Sequence, residues 1–122
     1  MKRVLVIEDN AKNMKLFRDL LQFAGYDTLE AMTGREGLEL AVGGRPDLVL
    51  LDIQLPDIDG VAVLRGIREQ VGPGLKVLAV SASVMPDDLQ RILASGFDGF
   101  ITKPINIKGF AAAVREALEI SA

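Results

Sequence analysis

The chain has 122 residues, 49% of them hydrophobic and 25% charged, with a formal net charge of −3 and neither cysteine nor histidine. This balance fits one compact domain over residues 1–122 with an ordinary core; it excludes disulfides, thiolate catalysis and cysteine-ligated zinc, and it offers no Lys/Arg run for nucleic acid. No apolar run approaches membrane-spanning length and Val4 to Ile7 is too short for a signal-peptide core, so a soluble cytoplasmic protein is expected, binding neither nucleic acid nor membrane.

In chain order, short apolar runs alternate with amphipathic segments. A first strand is expected over 3–7, where Val4-Leu5-Val6-Ile7 runs into Glu8-Asp9. Met14, Phe17, Leu20, Leu21 and Ala24 then recur at helical spacing as far as Gly25, a helix stop. A weaker strand over 27–31 precedes a helix capped by Thr33, carrying Leu38, Ala41 and Val42 and stopped by Gly43-Gly44. The third strand, 47–51, is apolar through Leu48-Val49-Leu50-Leu51 and ends abruptly at Asp52. A third helix uses Val61, Leu64, Ile67 and Val71. A fourth strand over 76–80 leads to a helix from Pro86 through Leu89, Ile92 and Leu93 to Gly96. The fifth strand, 98–101, again weaker, precedes a helix capped by Asn106 with Phe110, Val114, Ala117 and Leu118 on its apolar face. Weak outer strands suit sheet edges, and no linker, repeat or low-complexity segment interrupts the alternation. The pattern predicts an α/β, flavodoxin-like doubly wound (βα)5 fold with a parallel five-stranded sheet in the order 2-1-3-4-5. Its ligand site should lie outside the carboxyl ends of the strands, at the switch between strands one and three.

Glu8, Asp9 and Asp52 fall on that edge. At about 4 Å and an effective dielectric of about 20, each like-charge pair repels by roughly 4 kcal/mol, so the cluster calls for a cation or a shared proton. Oxygen-only ligands favour magnesium, manganese or calcium over zinc. Ser81, after strand four, and Lys103, before Pro104 and after strand five, project from the same edge. The set suits phosphoryl transfer. A metal and Lys103 neutralise oxygens of the transferring group, Ser81 donates one hydrogen bond, and a carboxylate oxygen attacks phosphorus. Asp57 and Asp59 read as members of a turn ending in Gly60 rather than as metal ligands.

Four segments together carry a family resemblance. Val4-Leu5-Val6-Ile7-Glu8-Asp9-Asn10, Leu50-Leu51-Asp52-Ile53-Gln54-Leu55-Pro56-Asp57-Ile58-Asp59-Gly60, Val80-Ser81-Ala82 and Thr102-Lys103-Pro104 resemble the signature blocks of two-component response regulator receiver domains. They stand in order at the family's intervals, and the resemblance spans essentially the whole chain. The opening Glu8-Asp9-Asn10-Ala11-Lys12-Asn13 resembles single-domain receivers of the bacterial cell-cycle type. The resemblance implies that Asp52 is the phosphoacceptor and that Asp9, Asp52 and the backbone carbonyl of Gln54 bind magnesium, with manganese as an alternative. Glu8 then acts near the metal through water, Lys103 contacts the phosphoryl group, Ser81 is the switch hydroxyl, and the Lys103–Pro104 peptide is cis. Gln54 and Ser83 match positions that tune hydrolysis in the family.

Two positions depart from the commoner family pattern. Serine replaces the frequent threonine at Ser81, keeping the hydroxyl but losing the methyl that stiffens χ1. Phe100 keeps the ring of the usual aromatic switch residue without a phenol, so output contacts needing that hydroxyl are unavailable to it.

The resemblance implies a signalling module rather than an enzyme. A phosphohistidine on a sensor histidine kinase or a histidine phosphotransfer protein donates to Asp52, and the altered surface, from strand five to the helix-four region beginning near Val84, binds a downstream target. Having no histidine, the chain is not itself the donor. A haloacid-dehalogenase-like phosphatase is the enzyme alternative, but that family places an Asp where Gln54 stands, and no cap domain is visible. A flavin or nucleotide binder would need backbone donors after strand one, where Glu8-Asp9 repels phosphate unless a metal intervenes. A degenerate receiver that only docks proteins is a further alternative, opposed by the intact acidic set. Strand one lies close to Met1 and the fifth helix close to Ala122, so output by direct protein contact, without an attached effector, is expected.

Overall fold

The computed structural model describes residues 1–82 and 86–121. Its elements are β1 (Arg3–Ile7), α1 (Ala11–Phe23), β2 (Asp27–Ala31), α2 (Gly34–Gly43), β3 (Leu48–Asp52), α3 (Gly60–Gln70), β4 (Lys76–Ser81), α4 (Pro86–Ala94), β5 (Gly99–Thr102) and α5 (Ile107–Ser121). All strand pairs are parallel, and the order is β2-β1-β3-β4-β5. This is the flavodoxin-like arrangement the alternation predicts.

Period-two alternation along the strands builds a core on each face of the sheet. Val4, Val6, Leu48, Leu50, Leu78, Val80 and Ile101 pack under α1 and α5, where the Phe17 and Phe110 rings stack with centroids 5.5 Å apart. Leu5, Ile7, Val49, Leu51, Val77 and Ala79 face the other way, toward Ala41, Val63, Leu64, Ile67 and Ile92 of α2, α3 and α4. Because β1 and β3 are covered on both faces, they read as unbroken apolar runs, whereas β2 and β5 at the edges alternate with half-buried residues.

Side chains and glycines mark the helix ends. Thr33 accepts from the Glu36 N–H at 3.1 Å at the start of α2, and Asn106 accepts from the Gly109 N–H at 2.9 Å at the start of α5. Gly25, at φ +94°, follows α1 in the left-handed conformation that glycine adopts without strain. Four apolar positions differ from the sequence reading, the first being Ala24, which is the exposed C-cap of α1 rather than part of its buried stripe. Val71 is the C-cap of α3 rather than part of its buried stripe, and Val71, Val42 and Leu93 all sit exposed on outer helix surfaces. Val42 and Leu93 lie directly beside the core residues Ala41 and Ile92, while Ala24 and Val71 continue the helical spacing of the buried Leu21 and Ile67, so periodicity alone did not separate them.

Candidate functional site

Parallel strands deliver their last residues to one edge of the sheet. Asp52 closes β3 opposite Val80. Glu8 and Asp9 follow β1, with the Glu8 N–H donating to the Ala31 carbonyl at 2.9 Å. Ser81 closes β4, and its carbonyl accepts from the Lys103 N–H at 2.8 Å, which sets Lys103 directly beyond β5. The Lys103–Pro104 peptide is cis. Gly60, at the start of α3, allows close approach beneath Asp52: a Cβ there would meet the Ile53 Cα at 2.6 Å and the Asp52 carbonyl oxygen at 3.2 Å.

These placements bring the acids together. One oxygen each from Glu8, Asp9 and Asp52 lies within 4.8 Å of the others, the one such acidic cluster found among the described residues. Glu8, Asp52 and Ser81 are buried at 1%, 4% and 3% exposure, while Asp9 faces solvent. The Lys103 Nζ lies 3.0 Å from Glu8 Oε1 and 3.2 Å from Asp52 Oδ2. Asp52 Oδ1 accepts from the Gln54 N–H at 2.9 Å, and Glu8 Oε2 from the Asn10 N–H at 3.2 Å. Glu8 Oε1 has no well-aligned donor, so its contact with Lys103 is an ion pair without good hydrogen-bond geometry.

Burial, followed by hydrogen bonding to Asp52, pushes the Glu8 carboxyl up to about 7, against the opposing pull of Lys103 and the Asn10 N–H. Burial also disfavours the Lys103 ammonium. Its contacts with Glu8 and Asp52 outweigh that effect and hold its pKa above the ordinary lysine value. The edge therefore presents one firmly charged cation among crowded carboxylates, one of which readily keeps a proton. An all-oxygen donor set containing a buried, poorly satisfied carboxylate oxygen fits a hard divalent cation.

Gln54 joins the site through its backbone, although its side chain is exposed. Together with Ser81, Asp59, Arg91, Ser95 and their apolar neighbours it lines an open pocket of about 370 Å³ beside Asp52. Phe100 is half-buried on β5 opposite Ala79, against the core on the α2–α4 face. Ser83 and Val84 lie outside the described residues, as does Ala122. Asp57 and Asp59 both lie in the loop that ends at Gly60 and outside the acidic cluster, as expected; Asp59 caps α3 by accepting from the Val61 N–H at 2.8 Å, and Asp57 also reaches across to α2. Asn10, which caps α1 through Lys12 and Asn13 while its own N–H steadies Glu8, was not singled out from sequence. An Asn immediately before a helical stripe was the available signal.

The family model for the response regulator receiver domain matches residues 4–115. The chain belongs to this family. The receiver is 41% identical over 118 residues to the polar-differentiation response regulator DivK of Brucella anthropi, with 96% of each chain covered. DivK of Brucella ovis matches at 40% with the same coverage. Among solved structures, the CheY-like receiver domain protein of Methanospirillum hungatei superposes with a TM-score of 0.90 at 29% identity, covering 99% of this chain and 96% of that one. The Francisella response regulator 1452 receiver domain gives 0.92 at 27%, covering both chains completely. Receivers hold a divalent cation with an acidic cluster, and this receiver carries one in Glu8, Asp9 and Asp52.

Proposed function

We propose that this receiver accepts a phosphoryl group on Asp52 from a phosphohistidine in a two-component phosphorelay and signals in the cytoplasm through a changed protein-binding surface. The observation that carries the reading is the buried Asp52 carboxylate, held by the Gln54 N–H and the Lys103 ammonium at the edge where Glu8 and Asp9 converge. In the transfer, an Asp52 oxygen forms the P–O bond as the P–N bond to the donor imidazole breaks, and the imidazole leaves with the bonding pair. Lys103 neutralises charge on the phosphoryl oxygens, while Ser81 supplies a hydroxyl donor once the group is in place. Asp9, Asp52, the Gln54 carbonyl and, through water, Glu8 would hold magnesium, or manganese in its place, which when bound supplies further positive charge at the phosphoryl group. The role is that of a substrate and relay for signalling proteins rather than a turnover enzyme, with the whole of residues 1–122 acting as one phosphoacceptor domain.

The test is phosphotransfer. A histidine kinase or histidine phosphotransfer protein carrying labelled phosphate on histidine should pass label to the wild-type chain and not to Asp52→Asn. Equal labelling of both proteins would overturn the assignment of Asp52.

A further inference from the structure

Asp57 lies in the loop between Asp52 and α3, is exposed, and has both carboxylate oxygens committed to another element. Oδ1 accepts from the Gly34 N–H at 2.8 Å and Oδ2 from the Arg35 N–H at 3.0 Å. These are two of the donors that a helix start leaves unpaired. The next, the Glu36 N–H, is already met by Thr33, and Glu36 Oε1 returns to the Met32 N–H at 3.1 Å. Helix α2 thus carries its own local cap, and Asp57 adds a tie across 23 positions of sequence. The bonds from Gly34 and Arg35 hold the Asp57 carboxyl below its ordinary pKa, as expected for a carboxylate at a helix N-terminus.

Both ends of that tie are fixed. Helix α2 is pressed onto β1, where a Cβ at Gly37 would meet the Ile7 side chain at 2.5 Å. The loop is bound at its start by the Gln54 N–H on Asp52 and at its end by the Gly60 N–H on the Ile53 carbonyl at 3.3 Å. Between those points, Asp57 links the loop to the half of the molecule that carries Glu8 and Asp9.

We infer that Asp57 is a positioning residue for the divalent-cation site: by tying the loop to α2 it holds the Gln54 peptide beside Asp52 before the cation arrives. The inference rests on the proposed reading of Glu8, Asp9 and Asp52 as a cation site. Asp57 touches neither cation nor phosphoryl group and acts through the loop.

Magnesium chloride titrations of the full chain, followed by backbone amide NMR, test it with wild type, Asp57→Ala, Asp57→Asn and Thr33→Ala. Asp57→Ala should raise the magnesium dissociation constant by roughly tenfold, the low end for loss of an outer-shell support, and speed exchange of the Gln54 amide hydrogen. Asp57→Asn, which keeps one acceptor, should show a smaller rise. Thr33→Ala weakens the α2 cap without touching the loop and should bind as wild type does. Parental affinity in Asp57→Ala, or in Asp57→Asn if the alanine variant does not fold, would overturn the inference. Equal weakening in Thr33→Ala would also overturn it, by tracing the effect to α2 stability alone. A wild-type chain that binds no magnesium removes the cation site itself and the inference with it.

Discussion

The Lys103 Nζ lies 3.2 Å from Asp52 Oδ2 although 51 positions separate the two residues, and the same ammonium lies 3.0 Å from Glu8 Oε1. One lysine therefore offsets two buried carboxylates from two different strand ends, which makes it the counter-charge of the site before any cation or phosphoryl group is present. Removing it leaves both acids in a low-dielectric edge without that compensation.

Lys103→Ala should accordingly destabilise the metal-free protein by about 1–3 kcal/mol. This is less than the roughly 3–5 kcal/mol typical of breaking a fully buried pair, because Glu8 can take up a proton and Lys103 is partly exposed. Urea unfolding in the presence of a chelator measures it. Stability equal to that of wild type would show that the lysine does not compensate the acids.

The pH dependence follows from Glu8. Its folded pKa is raised from 4.5 to about 7, so the stability it contributes is fully present below about 4.5 and is lost as pH rises through about 7. Asp19 and Asp57 are shifted below 3.8, so their contributions are lost only on acidification below that value, and Lys103, shifted above 10.5, acts only in alkali. Between about pH 5 and 7.5, the metal-free protein should therefore melt at progressively lower temperature as pH rises. Glu8→Gln should flatten that slope. A wild-type profile rising over the same interval would contradict the Glu8 assignment.

Asp9 faces solvent at the rim of the cluster, so its removal relieves repulsion at little cost in packing. Asp9→Ala should lose magnesium binding by at least tenfold and leave the metal-free chain equally stable or more stable, by up to about 1 kcal/mol. Calorimetric titration and a thermal melt on one sample provide both readings. Parental magnesium affinity in the variant would remove Asp9 from the cation site.

Much of this arrangement was legible in the residues. The unbroken apolar runs of β1 and β3 predict central parallel strands, and the acids that end them mark the ligand edge because a parallel sheet aligns all its carboxyl ends. Strand boundaries moved by single residues for local reasons. Asp52 belongs to β3 because it pairs with Val80, and β5 starts at Gly99 because the Asp98 side chain turns to accept from the Val77 N–H and Arg68. Asp57 does sit in the turn before Gly60 and outside the acidic cluster, but its contact with α2 stayed hidden because its partners, Gly34 and Arg35, are distant in sequence, and local turn chemistry carries no signal of a cap made across loops. The pairing of Lys103 with both Glu8 and Asp52 was likewise hidden: the topology puts the three at one edge, but side-chain reach settles which charges touch.

Switching should depend more on charge than on the serine hydroxyl. Phosphorylation at Asp52, as proposed, would add about −1.5 to −2 charges there. Moving an equilibrium from 1:99 to 99:1 takes about 5.5 kcal/mol, well beyond the roughly 1 kcal/mol of one neutral hydrogen bond. Ser81→Ala should therefore accept phosphate and switch incompletely, whereas Lys103→Ala should uncouple phosphorylation from the surface change more severely. Beryllium fluoride, a phosphoryl mimic, should shift backbone resonances across residues 81–108 in the wild type, including Phe100. Shifts confined to the neighbours of Asp52 would show that the β4–β5 face does not carry the signal.

The central claim, that Asp52 is the phosphoacceptor, is tested most directly by intact-protein mass spectrometry after incubation with acetyl phosphate and magnesium. The wild-type chain should gain the mass of one phosphoryl group, with the modification mapped to Asp52, and Asp52→Asn should gain none. An undiminished phosphoprotein in Asp52→Asn, or a modification mapped to another residue in the wild type, would contradict it.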